Sequence, residues 1–215
     1  MITTASELVQ QITNGGSSTR TAKPPIPEEL LTKTRRDIAR RLKAEGLEIN
    51  PVEVFRDVCT HAAALGLSTF GGYQRPKRGF ILFGGVGCGK TTLVRKAFRN
   101  TRIPFLSAIR VIQDGIEYAD SFAVDRRELS RRDLILDDLG AEPQGVHRFG
   151  NPISLVEWIT WRYEVFKRFG SLTYFTANAR SGSDLEDLYG GRIISRIKEM
   201  AEAIPYDHPD RRDSL

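Results

Sequence analysis

A glycine-rich stretch with one lysine and two threonines lies near the middle of the chain and directly follows an apolar run. It reads GGVGCGKTT and fits the spacing Gly84-x4-Gly89-Lys90-Thr91. Glycines allow backbone N–H groups to surround a compact polyanion, and the N-terminus of a following helix adds its positive dipole end. Lys90 would then contact the β- and γ-phosphates of a nucleoside triphosphate, and the Thr91 hydroxyl would bind Mg²⁺.

This spacing predicts a phosphate-binding loop, because an apolar strand, the glycines and a helical segment follow one another in the order that such a loop needs. The other interpretation is a glycine-rich turn that fits the pattern without binding a ligand. The residues expected to form the site are Gly84, Gly85, Val86, Gly87, Cys88, Gly89, Lys90, Thr91 and Thr92.

Two adjacent carboxylates stand at the end of the strand candidate DLILDDL (133–139). Ligands bind at the carboxyl ends of the strands in open α/β sheets, so both carboxylates are expected at the ligand edge. We assign Asp137 to Mg²⁺, mainly through water, and Asp138 to orienting or polarising the attacking water. A solvated pair that caps the next turn is the alternative, and the glycine loop favours the metal site.

A single asparagine ends the next strand candidate, SLTYFTAN (171–178). The side-chain amide of Asn178 can hydrogen-bond both a γ-phosphate and an attacking water. An asparagine that only forms the turn after the strand explains the sequence equally well.

Strand and helix candidates alternate along the chain. Apolar runs predict strands at 79–84, 103–108, 133–139, 171–178 and 202–207. Helical periodicity predicts helices at 28–45, 51–65, 90–100, 110–121 and 153–169, and a further helical stretch at 187–200 with a break at Gly190-Gly191. Continuous apolar strands that alternate with helices are typical of a parallel sheet covered on both faces, which makes the expected fold class α/β.

Composition divides the chain into four parts. Residues 1–27 are rich in Gly, Ser, Thr and Pro and are expected to form a flexible segment. Residues 28–70 are expected to be a short helical N-terminal extension, residues 71–207 the core, and residues 208–215 a disordered tail.

The overall composition narrows the class of protein. The chain has 215 residues, a net charge of +5 and 2 cysteines. The positive charge permits nucleic acid as a partner without requiring it. Two cysteines are too few for a disulfide framework, which favours a reducing cytoplasm. No apolar run approaches the ~20 residues of a membrane span, and the N-terminus does not have the pattern of a secretory signal.

Four segments stand out together: FILFGGVGCGKTTL, LILDDLGAE, WRYEVFKRFGSLTYFTAN and LYGGRIISRI. They resemble the AAA+ ATPases of the bacterial DnaC/DnaI helicase-loader and IstB transposition-helper group, from about Tyr73 to about Tyr206. The resemblance implies a P-loop NTPase core of the AAA+ type with a five-stranded parallel sheet, Mg-ATP binding and hydrolysis, oligomers on DNA, and a sensor role for Asn178. The stretch from Arg192 to Leu215 is too short for the C-terminal helical lid of full AAA+ proteins, which the helicase-loader group also lacks.

The resemblance also implies an arginine finger near GRIISR, where Arg192 and Arg196 lie one helical turn apart. Of the two, Arg192 is ranked first. An arginine from a neighbouring subunit would neutralise charge on the γ-phosphate in the transition state and so tie hydrolysis to assembly. Two arginines on an exposed helix face are the other interpretation.

Two basic regions offer further contacts. The helix at 28–45 could dock on a partner, or pack on the core, through Leu31, Ile38 and Leu42. A second region could follow the phosphates of single-stranded DNA, although interspersed acidic residues also fit a plain solvated surface. Its basic residues are Arg110, Arg126, Arg127, Arg131 and Arg132. His147 is expected in a loop, without special chemistry.

The leading hypothesis is an ATP-dependent helicase loader that oligomerises on DNA, preferably single-stranded, and delivers a replicative DNA helicase. An IstB-like ATPase that helps transposition would instead prefer double-stranded DNA. A small P-loop kinase would be monomeric and would not need an arginine from a second subunit. A nucleotide switch would bind ATP without turning it over.

Overall fold

Short, buried strands form the centre of the protein. The computed structural model describes residues 22–47, 51–117, 129–142, 147–148, 151–152 and 155–206. Within these ranges the strands are β1 (Gly79–Gly84), β2 (Phe105–Ser107), β3 (Leu134–Leu139), β4 (His147–Arg148), β5 (Asn151–Pro152), β6 (Thr173–Asn178) and β7 (Ala201–Pro205). The helices are α1 (Glu28–Ala44), α2 (Val52–Phe70), α3 (Lys90–Ala97), α4 (Ala108–Glu117), α5 (Leu155–Phe169), α6 (Gly182–Tyr189) and α7 (Gly191–Met200).

Five of these strands form one parallel sheet in the order β2-β3-β6-β1-β7. The two short strands β4 and β5 form a separate antiparallel pair. Parallel neighbours require crossover connections, and the helices between the strands supply them. The predicted α/β class with a five-stranded parallel sheet is therefore confirmed, with β1 at the fourth place in the sheet and α3 after the loop that follows it.

Side chains of β1 alternate between two apolar layers, as the pleat of a strand requires. Phe80 and Leu82 belong to the layer that contains α1, α2 and α3, whereas Ile81 belongs to the layer that contains α4 to α7. Because both faces of the sheet are covered, the strands appear in the sequence as continuous apolar runs and not as alternating ones.

Several element ends differ from those predicted. The second strand was expected at 103–108 and covers only Phe105–Ser107, because Pro104 has no N–H to donate and α4 already begins at Ala108. Helix α2 continues past the predicted end at Leu65 to Phe70, and Gly71 follows it as the C-cap. Helix α3 ends at Ala97, short of the predicted end near residue 100.

The C-terminal half also differs, since α6 begins at Gly182, five residues before the helical stretch predicted at 187–200. The expected break at Gly190-Gly191 is confirmed, since Gly190 has a φ of 80° and separates α6 from α7. Strand β3 begins at Leu134 and β6 at Thr173, one and two residues later than predicted. Strand β7 begins at Ala201 and ends at Pro205, so its predicted range of 202–207 was shifted toward the C-terminus. His147 lies in β4, so the prediction of a loop at this position was wrong.

Some predictions fall outside the described residues. They concern most of the segment 1–27, the end of the fourth helix after Glu117, Arg126 and Arg127, and the tail 208–215. Among the described helices, none combines the length and the apolar character of a membrane span. Cys59 and Cys88 are both buried free thiols, and burial raises the pKa of the Cys59 thiol to about 12.

Helix α1 packs on the core and contacts the far end of α3. Leu42 is fully buried in the layer that also contains Phe80, and Ile38 packs against it, so the apolar stripe of α1 faces the core. The Arg41 guanidinium donates to the backbone carbonyl oxygen of Lys96 at 2.8 Å, in the last turn of α3. The Glu45 carboxylate pairs with the Lys96 ammonium at 3.3 Å and lies 3.1 Å from an Arg99 nitrogen.

A fully buried arginine connects α5 with the starts of β3 and β6. The Arg162 guanidinium donates to the hydroxyl of Thr173 at 2.9 Å and to the backbone carbonyl oxygens of Leu129, Arg132 and Leu172 at 3.1, 3.2 and 3.0 Å. Burial lowers the pKa of Arg162 to about 10. These four hydrogen bonds satisfy a charge that would otherwise be costly to bury.

Candidate functional site

The glycine loop joins β1 to α3 at the carboxyl edge of the sheet. Gly87 and Gly89 have φ angles of 81° and 96°, in the left-handed region that side chains with a Cβ rarely adopt. A Cβ on Gly84 would lie 1.9 Å from the backbone carbonyl oxygen of Tyr206, which follows β7. These glycines are therefore required by the backbone, and they leave the N-terminus of α3 open to a ligand.

Lys90 lies within the curve of the loop. Its ammonium donates to the carbonyl oxygens of Gly84 and Gly85 at 2.9 and 2.7 Å, and its side chain is buried. The Cys88 thiol donates to the same Gly85 oxygen at 3.0 Å. The loop thus holds the Lys90 ammonium against its own first two residues, and α3 begins at Lys90, so that a positive charge and a helix N-terminus are both available to a phosphate chain.

The Thr91 hydroxyl and the Asp137 carboxylate lie together, as predicted for a magnesium site. Thr91 Oγ1 donates to Asp137 Oδ1 at 3.0 Å, and the hydroxyl of Thr176 on β6 donates to the same oxygen at 2.6 Å. Asp137 is buried, and burial raises the pKa of its carboxyl although both hydroxyl hydrogen bonds act in the opposite direction. An oxygen-only donor set of this kind fits Mg²⁺.

Strand β3 carries an irregularity at its two aspartates. Leu136 pairs with Phe175 and Leu139 with Ala177, so three steps along β3 match two along β6. The extra residue is a β-bulge, and Asp138 within it has a φ of 70°. The Asp138 N–H donates to Thr176 Oγ1 at 2.9 Å. Because neighbouring residues of a regular strand point to opposite faces, the bulge explains how both carboxylates serve one edge.

Asn178 is positioned beside Asp138 by the pairing of β6 with β1. Its Cα partner in β1 is Gly84, the first residue of the glycine loop. The Asn178 side-chain amide donates to Asp138 Oδ1. The structure therefore brings Asp138 and Asn178 together at the loop, with the other predicted pair, Thr91 and Asp137, on the neighbouring strand end.

A cavity of about 1040 Å³ opens next to the first half of the glycine loop. It lies over the carboxyl ends of β1, β6 and β7. The residues that line it are Phe83, Gly84, Gly85, Val86, Asn178, Ala179, Arg180, Asp184, Pro205 and Tyr206. Cavities of this size hold small molecules, and its place at the ends of parallel strands is the usual one for a nucleotide.

A buried network lies behind the aspartates. The Gly140 N–H is shared between Glu142 Oε2 and the Tyr189 hydroxyl oxygen, each at 2.8 Å. The Tyr189 hydroxyl donates to the other carboxylate oxygen of Glu142. Burial and the Glu142 carboxylate both raise the pKa of Tyr189, so this hydroxyl stays protonated and remains a donor. The network connects the turn after β3 with the end of α6.

The two candidate finger arginines have different surroundings. Arg196 is held by its own chain, because it donates to Thr160 Oγ1 at 2.6 Å and its guanidinium lies 5.3 Å from the centre of the Tyr163 ring. Arg192 is exposed, and among the described residues it makes no hydrogen bond or ion pair. Neither arginine lines the cavity beside the loop.

Within the loop, Val86 and Thr92 point outward and are exposed. Sequence reasoning assigned no role to Thr176, Glu142, Tyr189 or Arg180. Thr176, Glu142 and Tyr189 lie within the segments SLTYFTAN, LILDDLGAE and LYGGRIISRI, respectively. The polar side chains of Thr176, Glu142 and Tyr189 are visible in the sequence, but only the folded structure shows which groups they contact.

No protein-family model matches this sequence. None of the curated proteins shows significant similarity to it.

Two solved structures are similar to this chain. The crystal structure of the DnaC helicase loader is 25% identical over 69% of this chain and 90% of that chain, with a TM-score of 0.46. A protein described as a primosome component of Streptococcus pyogenes serotype M3 is 20% identical over 77% of this chain and 86% of that chain, with a TM-score of 0.50. The second similarity shows the fold, in agreement with the parallel sheet described above.

Proposed function

We propose that this chain is an ATPase that assembles on DNA and delivers a replicative DNA helicase. The observation that carries the ATPase part is the hydrogen bond from Thr91 to Asp137, because it joins the phosphate loop to the carboxylate of β3 as a magnesium site requires. The loader part is supported by the four sequence segments that resemble the helicase-loader group, and by a sheet and loop arranged as that resemblance implies.

ATP binding follows from the loop and from α3. The backbone N–H groups of the loop and the Lys90 ammonium would hold the β- and γ-phosphates, with Lys90 exchanging its loop carbonyls for phosphate oxygens. Thr91 and Asp137 would hold Mg²⁺, which neutralises phosphate charge when it is bound. The adenosine part would occupy the cavity beside Gly85 and Tyr206.

Hydrolysis is assigned to the second pair of side chains. Asp138 would orient the attacking water and accept its proton, and the Asn178 amide would fix Asp138 and contact the γ-phosphate. The hydrogen bond from the Asn178 amide to Asp138 supports this assignment. Arg192 from a neighbouring subunit would supply the positive charge in the transition state, because it is exposed, unpaired among the described residues and absent from the cavity of its own chain.

Binding of single-stranded DNA and residence in the cytoplasm stay predictions. Of the basic residues named for DNA, Arg110, Arg131 and Arg132 lie in the described part of the chain, and the Arg131 guanidinium lies 5.6 Å from the centre of the Phe169 ring. The net charge of +5 supports contact with a phosphate backbone.

A capture experiment tests the loader role. The full-length chain would be immobilised and exposed to bacterial hexameric replicative helicases with ATP, with ADP or without nucleotide, and with Lys90→Ala as a matched variant. We expect helicase capture that depends on nucleotide and is weakened in the variant. If no helicase is captured with ATP, with ADP or without nucleotide, the loader role is overturned. ATP hydrolysis measured on the same sample tests the ATPase role separately.

The same sample separates the other hypotheses. Sizing with an ATP analogue and either single- or double-stranded DNA is expected to show assembly on the single strand. Assembly on duplex DNA without helicase capture would support a transposition helper. A monomer that transfers phosphate to a small molecule would support a kinase, and ATP binding without any turnover would support a switch.

A further inference from the structure

Arg180 lies at the mouth of the cavity, two residues after the end of β6. It lines this cavity together with Gly84 and Gly85 of the glycine loop and with Asn178. Asn178 in turn contacts Asp138, which stands next to the proposed magnesium ligand. Arg180 therefore belongs to the side of the cavity where the terminal phosphate of a bound nucleotide would lie.

The turn that carries Arg180 is rigid. Asp184 accepts hydrogen bonds from the backbone N–H groups of Arg180 and Ser181 at 2.8 and 3.1 Å, and from the Ser181 hydroxyl at 2.8 Å. Ser181 and Asp184 form a capping box at the N-terminus of α6. The capping box fixes the backbone of the turn and leaves the Arg180 side chain free to point from it.

The charges around the cavity single out this arginine. Among the described residues that line it, Arg180 is the only cation and Asp184 the only anion. The Asp184 carboxylate accepts hydrogen bonds from its three donors, and the nearby positive charge of Arg180 also contributes to lowering the pKa of its carboxyl. The Arg180 side chain is exposed, and it makes no hydrogen bond or ion pair with the described part of the chain. Its five N–H donors are thus available to a ligand.

We infer that Arg180 binds the terminal phosphate of the nucleotide held by its own chain and so distinguishes ATP from ADP. This inference rests on the proposed nucleotide site. A guanidinium binds phosphate oxygens through two parallel hydrogen bonds, a geometry that the single ammonium of Lys90 cannot provide. Lys90 lies inside the loop and would contact the β-phosphate of either nucleotide as well as the γ-phosphate of ATP, whereas Arg180 would approach the γ-phosphate from the end of β6.

Calorimetric titration of the full-length chain with Mg-ATP and with Mg-ADP tests this role. For Arg180→Ala we expect ATP affinity to fall at least about tenfold and ADP affinity less than about threefold, as loss of a charge-assisted contact to one phosphate requires. Arg180→Lys is expected to recover part of the loss. Arg36→Ala is the matched control, since Arg36 is an exposed arginine that lines a different cavity.

Each outcome decides a separate claim. If Arg180→Ala loses ATP and ADP affinity equally, or loses neither, the role of Arg180 is overturned. Binding of ATP by wild type in the same experiment would still support the nucleotide site. Absence of ATP binding by the folded wild-type chain would overturn both. Melting curves of each variant without nucleotide check the fold, and an unchanged melting temperature is expected because the side chain is exposed.

Discussion

Asp137 and Asp138 are neighbours in the sequence but differ in their surroundings. Asp137 is 5% exposed and accepts two hydroxyl hydrogen bonds on one oxygen, whereas Asp138 is half-buried, has a φ of 70° and accepts from Asn178. Burial makes the ionised form of Asp137 costly, and a bound Mg²⁺ would offset this cost. Asp138 keeps more contact with solvent, which suits a group that meets a water.

Asp137→Asn is expected to raise the melting temperature at pH 7 without nucleotide or Mg²⁺. The amide oxygen can still accept from Thr91 and Thr176, and no charge is buried. Because the folded pKa of Asp137 is raised above 3.8, its favourable contribution to folding is present below pH 3.8 and is lost as the pH rises through the folded pKa. The advantage of the variant should therefore appear above pH 3.8, grow as the pH rises through the folded pKa of Asp137, and stay constant above it.

Melting curves from pH 3 to pH 8 measure this effect. Asp187→Asn, at an exposed carboxylate on α6, is the control and is expected to change little. A variant that is less stable than wild type by the same amount at every pH would contradict the explanation. Added Mg-ATP should stabilise wild type and not Asp137→Asn.

At the scale of the elements, the five strands of the sheet could be predicted from the sequence, but their exact ends and the β-bulge in β3 could not. The runs that contain Phe80 and Leu134 place apolar residues on both faces of their strands, which predicts buried parallel strands. Their ends depend on pairing with neighbours, so they could not be read from the chain alone. The bulge at Asp138 is also a product of pairing, since it exists only because β6 is one residue shorter over the same span.

The candidate site also contains residues that the sequence predicts and residues that only the structure identifies. The glycine loop, Asp137 and Asn178 could be predicted because their spacing within a strand-loop-helix order is informative. Thr176 and Tyr189 could not, because a threonine in a strand and a tyrosine at a helix end are ordinary core residues. Their roles come from distances of 2.6 Å to Asp137 and 2.8 Å to the Gly140 nitrogen.

Tyr189→Phe is expected to lower the free energy of unfolding by about 1–3 kcal/mol, because the buried Glu142 carboxylate loses a donor. Tyr163→Phe is the matched control. The Tyr163 hydroxyl donates to Glu199 at 2.8 Å on the exposed side of α5, so its loss should cost within about 0.5 kcal/mol. Urea unfolding measures both, and equal effects would contradict a buried network at Glu142.

At the scale of the whole molecule, the proposed function assigns the exposed Arg192, and not the Arg196 that donates to Thr160, to the catalytic site of a neighbouring subunit. Arg192→Ala is expected to bind ATP normally and to lose hydrolysis on DNA by about 10³-fold, as removal of an arginine finger does. Arg196→Ala should instead lower the melting temperature, since it breaks the contact with Thr160.

Mixing two inactive variants tests whether the arginine acts between subunits. Asp138→Asn subunits retain Arg192, and Arg192→Ala subunits retain Asp138. A mixture of the two on single-stranded DNA is therefore expected to recover hydrolysis that neither variant shows alone, and ATPase rates across mixing ratios measure it. If Arg192→Ala alone hydrolyses ATP normally, then either Arg196 is the arginine finger or this chain has no arginine finger at either position.

The contact between Arg41 and the Lys96 carbonyl links α1 to the helix that follows the glycine loop. Helix α3 begins at Lys90 and ends at Ala97, a length of roughly 12 Å at 1.5 Å per residue. Its first turn faces the proposed triphosphate. Its last turn is bound by Arg41 of α1 and by Glu45, which follows α1. Because α1 contacts α3 directly, we expect a movement of α3 on nucleotide binding to be transmitted to α1, and a protein bound on the outer side of α1 to change nucleotide affinity in return.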